Sequence, residues 1–143
     1  MKKKKNLPLA ILVATYWKEI TSPLLKECLS LFKEKGISEK EIDIFRVPGA
    51  LEIPLLAKKL AKKKKYKALI ALGCVLKGET FHFEQVSIEC VKGCQRVAYD
   101  FEIPVIFEVL SVFSKKQAKE RIKKRAREAV ETCLKMIEIL EKI

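Results

Sequence analysis

Residues 68–75 read Ala-Leu-Ile-Ala-Leu-Gly-Cys-Val, an apolar run without polar alternation that gives way to Lys77-Gly78. A strand that shows no polar side is buried on both faces, which is the habit of parallel sheets covered by helices. The flanking segments should therefore be helical. Upstream, Ile53 to Lys65 has helical spacing with a lysine-rich exposed side, and downstream a helix from about Phe81 to Phe101 buries Phe83, Val86, Cys90, Cys94, Val97 and Phe101. Leu9 to Thr15 (LAILVAT) is a second doubly buried strand. Glu41 to Val47 (EIDIFRV) alternates as a more peripheral strand does, and Val105 to Ser111 (VIFEVLS) follows Pro104 as the last. Thr21-Ser22-Pro23 offers a cap and a proline for a first helical turn, with Leu24, Cys28, Leu31 and Phe32 buried and Gly36 as the stop. Ser114-x-x-Gln117 is a capping-box pattern that opens a helix to the chain end, burying Ala118, Ile122, Ala126, Ala129, Val130, Cys133, Ile137 and Leu140. The order βαβαβαβα predicts a four-stranded parallel sheet between two helical layers, as one domain over residues 1–143 with residues 1–6 as a flexible basic tail.

Composition narrows the function classes. A chain of 143 residues with 49% hydrophobic residues has ample material for a core and excludes a disordered chain. No apolar run approaches the roughly 18 residues of a membrane span. The stretch Leu7 to Ala14 after Met1-Lys2-Lys3-Lys4-Lys5 lacks a small-residue cleavage site, so a soluble cytoplasmic protein is expected.

The formal charge of +12 is local. Lysines 2–5, Lys58 to Lys67 and Lys115 to Arg127 hold 19 of the 30 Lys and Arg with a single acid, Glu120. Basic clusters can bind polyanions, but these carry only Tyr66 as aromatic interleaving. They read as solvated helix faces, with nucleic-acid binding only incidental. The five cysteines include no CxxC, and with one histidine in the chain they read as small buried hydrophobes, leaving no metal site.

Sheets of this kind bind ligands beyond the carboxyl ends of their strands. Three such junctions are chemically odd. Tyr16-Trp17 follows the first strand and can supply a stacking face for a flat heterocycle or cover a helix end. In Val47-Pro48-Gly49-Ala50-Leu51-Glu52-Ile53-Pro54 a glycine admits ligand atoms to the backbone, unpaired amides lie at a helix start, and Glu52 offers an acceptor for hydroxyls. Gly78-Glu79-Thr80-Phe81-His82 sets a glycine turn and a hydroxyl at a helix start, a pattern for anions, beside the only histidine. It is too short for a nucleotide-triphosphate loop. Histidine titrates near neutrality and suits proton transfer.

Taken together, VPGALEIP (47–54), ALGCVLKGETFHFE (71–84), IPVIFEVLS (103–111) and QAKER (117–121) resemble the 6,7-dimethyl-8-ribityllumazine synthase family of riboflavin biosynthesis, in order and spacing, over essentially the whole chain. The resemblance implies a flavodoxin-like fold and a cofactor-free condensation of 5-amino-6-(D-ribitylamino)uracil with L-3,4-dihydroxy-2-butanone 4-phosphate. It implies that His82 moves protons, and that Tyr16, with Trp17 beside it, stacks on the pyrimidine. Gly49, Ala50 and Glu52 would hold the ribityl chain, and Val75 and Leu76 would touch the pyrimidine through their backbone. Gly78, Glu79 and Thr80 would form the phosphate turn. Phe107 and Arg121 would arrive from a neighbouring subunit, since the family forms homopentamers, often assembled into decamers or 60-subunit shells.

Some positions depart from the family pattern. Trp17 stands where a small polar residue is usual, Leu51 where an aromatic is frequent, and Glu108 where glycine is usual, on a register that would turn it from the ligand. Glu79 puts an acid beside the phosphate turn. Ile122-Lys123-Lys124-Arg125-Ala126-Arg127 replaces the common Asn-Lys-Gly segment, which resembles the archaeal branch, as does GCVLKGET. Lys135 and Glu138 lie near substrate-contact positions of the family. The departures and the lysine-heavy surface leave a second reading, a natural or engineered self-assembling shell of the same fold with weak or no catalysis.

Overall fold

The computed structural model describes residues 7–143, so the expected basic tail at 1–6 lies outside the described residues. Four strands, β1 (Leu9–Ala14), β2 (Ile42–Val47), β3 (Ala68–Leu76) and β4 (Val105–Val112), form one all-parallel sheet in the order β2-β1-β3-β4. They alternate with α1 (Lys18–Glu34), α2 (Ile53–Lys62), α3 (His82–Phe101) and α4 (Lys115–Glu141). Short 3-10 turns at Glu39–Glu41 and Ala50–Glu52 lead into β2 and α2. This is the expected three-layer, flavodoxin-like α/β arrangement.

The strand alternation decides which helices go where. Leu9, Ile11 and Val13 of β1, with Ile70, Leu72 and Cys74 of β3, share a core with Leu24, Cys28 and Phe32 of α1 and Ala126, Val130 and Cys133 of α4. The intervening Ala10, Leu12, Ala14, Leu69 and Ala71 face Ile53, Ala57 and Leu60 of α2 and Val86, Cys90, Cys94 and Val97 of α3. All five cysteines are buried. Burial pushes the thiols of Cys28 and Cys133 up to about 12 and that of Cys74 up to about 11, so they stay protonated.

Three sequence expectations fail: α2 ends at Lys62 instead of Lys65, where Lys64 turns left-handed at φ 54°, Leu140 is exposed on the last turns of α4 instead of buried, and the start of α1 moves. Helix α1 begins at Lys18, not at the Thr21-Ser22-Pro23 cap, and Pro23 lies inside it. Ile20 and Thr21 are buried, and the backbone N–H groups of both donate to the Trp17 carbonyl. Tertiary burial thus draws an extra turn onto the helix, and the proline removes only one ladder bond, to Glu19. The stop at Gly36 is as read, with φ 88° and the Ile37 N–H donating to Phe32 O at 2.9 Å. The last helix has its Ser114 cap, while Gln117 reaches one residue further back than a capping box does. Ser114 Oγ accepts from Gln117 N at 3.1 Å, and Gln117 Oε1 accepts from Phe113 N at 2.7 Å.

Candidate active site

The ends of β1 and β2 are held level. Ala14 pairs with Val47, and the Thr15 N–H donates to Val47 O at 2.9 Å. Tyr16 and Gly49 therefore leave the sheet side by side, each two residues beyond that pair. Tyr16 is 74% exposed and presents its ring at the mouth. Trp17 meets it edge-on, with centroids 5.2 Å apart, but packs partly buried against the α1/α4 core under the Lys115 ammonium. Of the two aromatics, Tyr16 is the one free to stack on a ligand.

At the second junction Glu52 folds back over Gly49. A Cβ on that glycine would stand 3.0 Å from Glu52 Oε1, so the bare backbone is what lets the carboxylate sit there. Ala50 is anchored in the α2/α3 core, while Leu51 and Glu52 face solvent. Pro54 in the first turn of α2 fixes where this loop ends.

The third junction follows β3. Val75 is buried and Leu76 partly so, which leaves their backbone, not their side chains, for a ligand. Gly78, Glu79 and Thr80 are exposed, and among the described residues no protein acceptor takes up their backbone N–H groups. A Cβ on Gly78 would meet nothing within 4 Å. The Thr80 hydroxyl accepts from His82 N at 3.4 Å, and His82 itself is exposed at the start of α3, where amides and helix dipole favour negative charge.

The sequence reading passed over two residues here. Lys77 Nζ donates to Glu84 Oε2 across the turn, and this hydrogen bond holds the Glu84 carboxyl below the usual carboxylate range. The only signal was a lysine and a glutamate flanking the turn at a separation of seven.

Phe107 does not join these loops within one chain. Phe107 pairs with Ala71, four residues before Val75 on β3, so it lies about 13 Å back along the sheet. It lines an apolar groove of about 660 Å³ beside the free edge of β4, with Tyr99, Ile103 and Met136. Arg121 lines a separate cleft of about 270 Å³ with Ser111, Val112, Lys124 and Arg125. One of its guanidinium nitrogens donates to Gln117 O at 2.9 Å, leaving further donors for an anion.

Glu108 points from β4 towards α4, away from Phe107, and is buried with Arg125 Nε 3.4 Å from its Oε1, a contact that is not a hydrogen bond. Burial raises its carboxyl to about 7, against the pull of Arg125 and with a further push from Glu128. Glu108 therefore loads the interface between sheet and helix. Lys135 and Glu138 pair with each other on α4 at 3.8 Å. Among the described residues no helix is long and apolar enough to cross a membrane.

The sequence of the chain matches one family of known proteins. The family model described as 6,7-dimethyl-8-ribityllumazine synthase matches residues 6–141. The protein of that name from Neisseria meningitidis serogroup C / serotype 2a is 41% identical over 139 residues, covering 95% of this chain and 88% of the relative. The one from Albidiferax ferrireducens is 38% identical over 139 residues, covering 97% and 88%. That from Coxiella burnetii is 44% identical over 115 residues, covering 80% and 76%. With the match running from the edge of the described residues to the last turn of α4, the chain belongs to the 6,7-dimethyl-8-ribityllumazine synthase family.

Proposed function

We propose that the chain condenses 5-amino-6-(D-ribitylamino)uracil with L-3,4-dihydroxy-2-butanone 4-phosphate to give 6,7-dimethyl-8-ribityllumazine and inorganic phosphate. The observation that carries this reading is the third junction. The only histidine of the chain opens α3 two residues after the last of three amides that no described residue claims. A phosphate held on Gly78, Glu79 and Thr80 lies next to His82, so the group that leaves and the group that moves protons are neighbours.

The remaining roles follow from the loop geometry. Tyr16 stacks on the pyrimidine and Glu52 accepts from ribityl hydroxyls over Gly49 and Ala50. The backbone of Val75 and Leu76 meets the pyrimidine edge. The substrate amine adds to the ketone carbonyl and loses water to form the imine. Elimination then releases phosphate, and ring closure with loss of a second water gives the product. Imine formation and ring closure move protons on nitrogen and oxygen, elimination takes one from the carbon next to the imine as phosphate leaves, and His82 serves these transfers. No metal or redox partner is needed to balance these steps.

Phe107 lies back along the sheet from these loops, and in this reading both Phe107 and Arg121 reach the site from a second copy of the chain. Arg121 then adds its planar fork to the phosphate. The same reading makes the protein a cytoplasmic homopentamer or a larger closed assembly. Its test is the two-substrate reaction, followed by product absorbance and phosphate release, on a sample whose particle mass is measured in parallel. A monomer, or product formation no faster than the uncatalysed background, ends this reading.

A further inference from the structure

We propose that Lys77 and Glu84 are positioning residues, a clasp that holds the Gly78–Thr80 turn open for the substrate phosphate and sets His82 beside it. The proposal rests on the reading of that turn as the phosphate site. The turn has little else to hold it. Its three amides make no hydrogen bond to described protein acceptors, and Gly78 has open space where a side chain would be. Such a segment keeps one shape only if its two shoulders are fixed.

The upstream shoulder is fixed by Lys77, whose N–H donates to Val112 O at 2.9 Å and ties the end of β3 to β4. The downstream shoulder is the first turn of α3, where Gln85 N donates to Phe81 O at 3.3 Å. The Lys77–Glu84 hydrogen bond links the two shoulders directly, and beside it Ser111 Oγ donates to Ser87 Oγ at 3.1 Å, tying the end of β4 to α3. The Lys77–Glu84 bond is also partly shielded from water. The ammonium lies 5.5 Å from the centroid of the Phe83 ring, Phe83 packs at 6.2 Å on Phe113, and Glu84 Oε1 is enclosed without a hydrogen-bond partner. An ion pair over an aromatic floor is stronger than one in open solvent.

Simple charge arithmetic opposes this proposal, which makes it easy to test. Glu84 is an acid close to an anion site, so its removal should tighten phosphate binding if only Coulomb forces matter. A clasp predicts the reverse, because an unlatched turn must be ordered by the ligand itself.

The test is titration of inorganic phosphate into the assembled protein by calorimetry, for the unchanged chain, Glu84→Gln, Lys77→Met and Lys77→Arg. Steady-state kinetics on the same samples complete it. Glu84→Gln and Lys77→Met should each weaken phosphate about tenfold, inside the hundredfold that a 1 Å misplacement can cost. KM for the phosphate substrate should rise in step while KM for the ribitylamino-uracil stays nearly constant, and Lys77→Arg should restore both.

Tighter or unchanged phosphate binding in Glu84→Gln overturns the clasp, and loss in Lys77→Met alone would make Lys77 a direct ligand instead. If the unchanged chain binds no phosphate, the clasp and the reading of the turn fall together. If it binds phosphate but makes no product, the function falls while the clasp is judged on the variants. Particle mass and circular dichroism of each variant separate misfolding from a lost clasp.

Discussion

Gly93 of α3 lies so close to Pro54 of α2 that a Cβ on the glycine would stand 2.6 Å from the proline Cβ and 2.7 Å from its Cγ. Neither group can yield, since one is helix backbone and the other a rigid ring. This contact sets how near the two helices approach, and Pro54 is two residues from Glu52. Gly93→Ala should therefore push the first turn of α2 outward. Overpacking of this kind costs about 1–3 kcal/mol. For a chain of this size that lowers Tm by about 3–9 °C. Because the shift reaches the loop with Ala50 and Glu52, KM for the ribitylamino-uracil should rise more than KM for the phosphate substrate. A Tm equal to that of the unchanged chain would show that the helices separate without cost.

Gly78→Ala should behave in the opposite way. Its Cβ meets no protein atom within 4 Å, and Gly78 is not among the glycines with positive φ. The folded state should accept it, with a gain of about 0.4–1 kcal/mol from the stiffer unfolded chain. The methyl would occupy the space proposed for phosphate, so KM for the phosphate substrate should rise severalfold while Tm holds or increases. Unchanged kinetics for both substrates would place the phosphate elsewhere.

These two glycines mark what could and could not be read from sequence. The runs at 9–14 and 68–76 announced doubly buried strands because no polar residue interrupts them, and that burial is a local composition effect. Ser114 and Gln117 were legible as a cap because the bond spans three residues. Pro23 misled because proline at a helix start is a local preference, whereas the extra turn of α1 is drawn in by the burial of Ile20 and Thr21. Gly93 gave no sign at all, since its need for space comes from Pro54, 39 residues away. Lys77 and Glu84 were missed for a related reason. Their partnership exists only once the turn between them is folded.

His82→Gln keeps much of the side chain's volume and hydrogen-bonding capacity but removes the titratable imidazole. His82 is exposed and, among the described residues, its backbone amide reaches only the Thr80 hydroxyl, so stability should change by no more than about 0.5 kcal/mol. Removal of a general acid–base group should lower kcat about 10²-fold with both KM values within a factor of a few. Rapid-mixing kinetics at saturating substrates would check this. A kcat within twofold of the unchanged chain would assign proton transfer to solvent or to another group.

Glu108 makes stability depend on pH in an unusual direction for a carboxylate. Burial raises its pKa from 4.5 to about 7. Between those values the folded chain retains a proton that the unfolded chain has already released. By linkage, the stabilisation is fully present below pH 4.5 and is lost as pH rises through about 7. Glu108→Gln removes this dependence and leaves Arg125 its bond to Glu128, at 3.0 Å. Melting the two proteins side by side from pH 5 to pH 8 cancels the contributions of every other group. The variant should gain on the unchanged chain as pH rises, by about 1–2 kcal/mol after discounting the shift for solvent screening. A difference that stays flat across the range would mean that Glu108 is ionised throughout and that Arg125 compensates its burial in full.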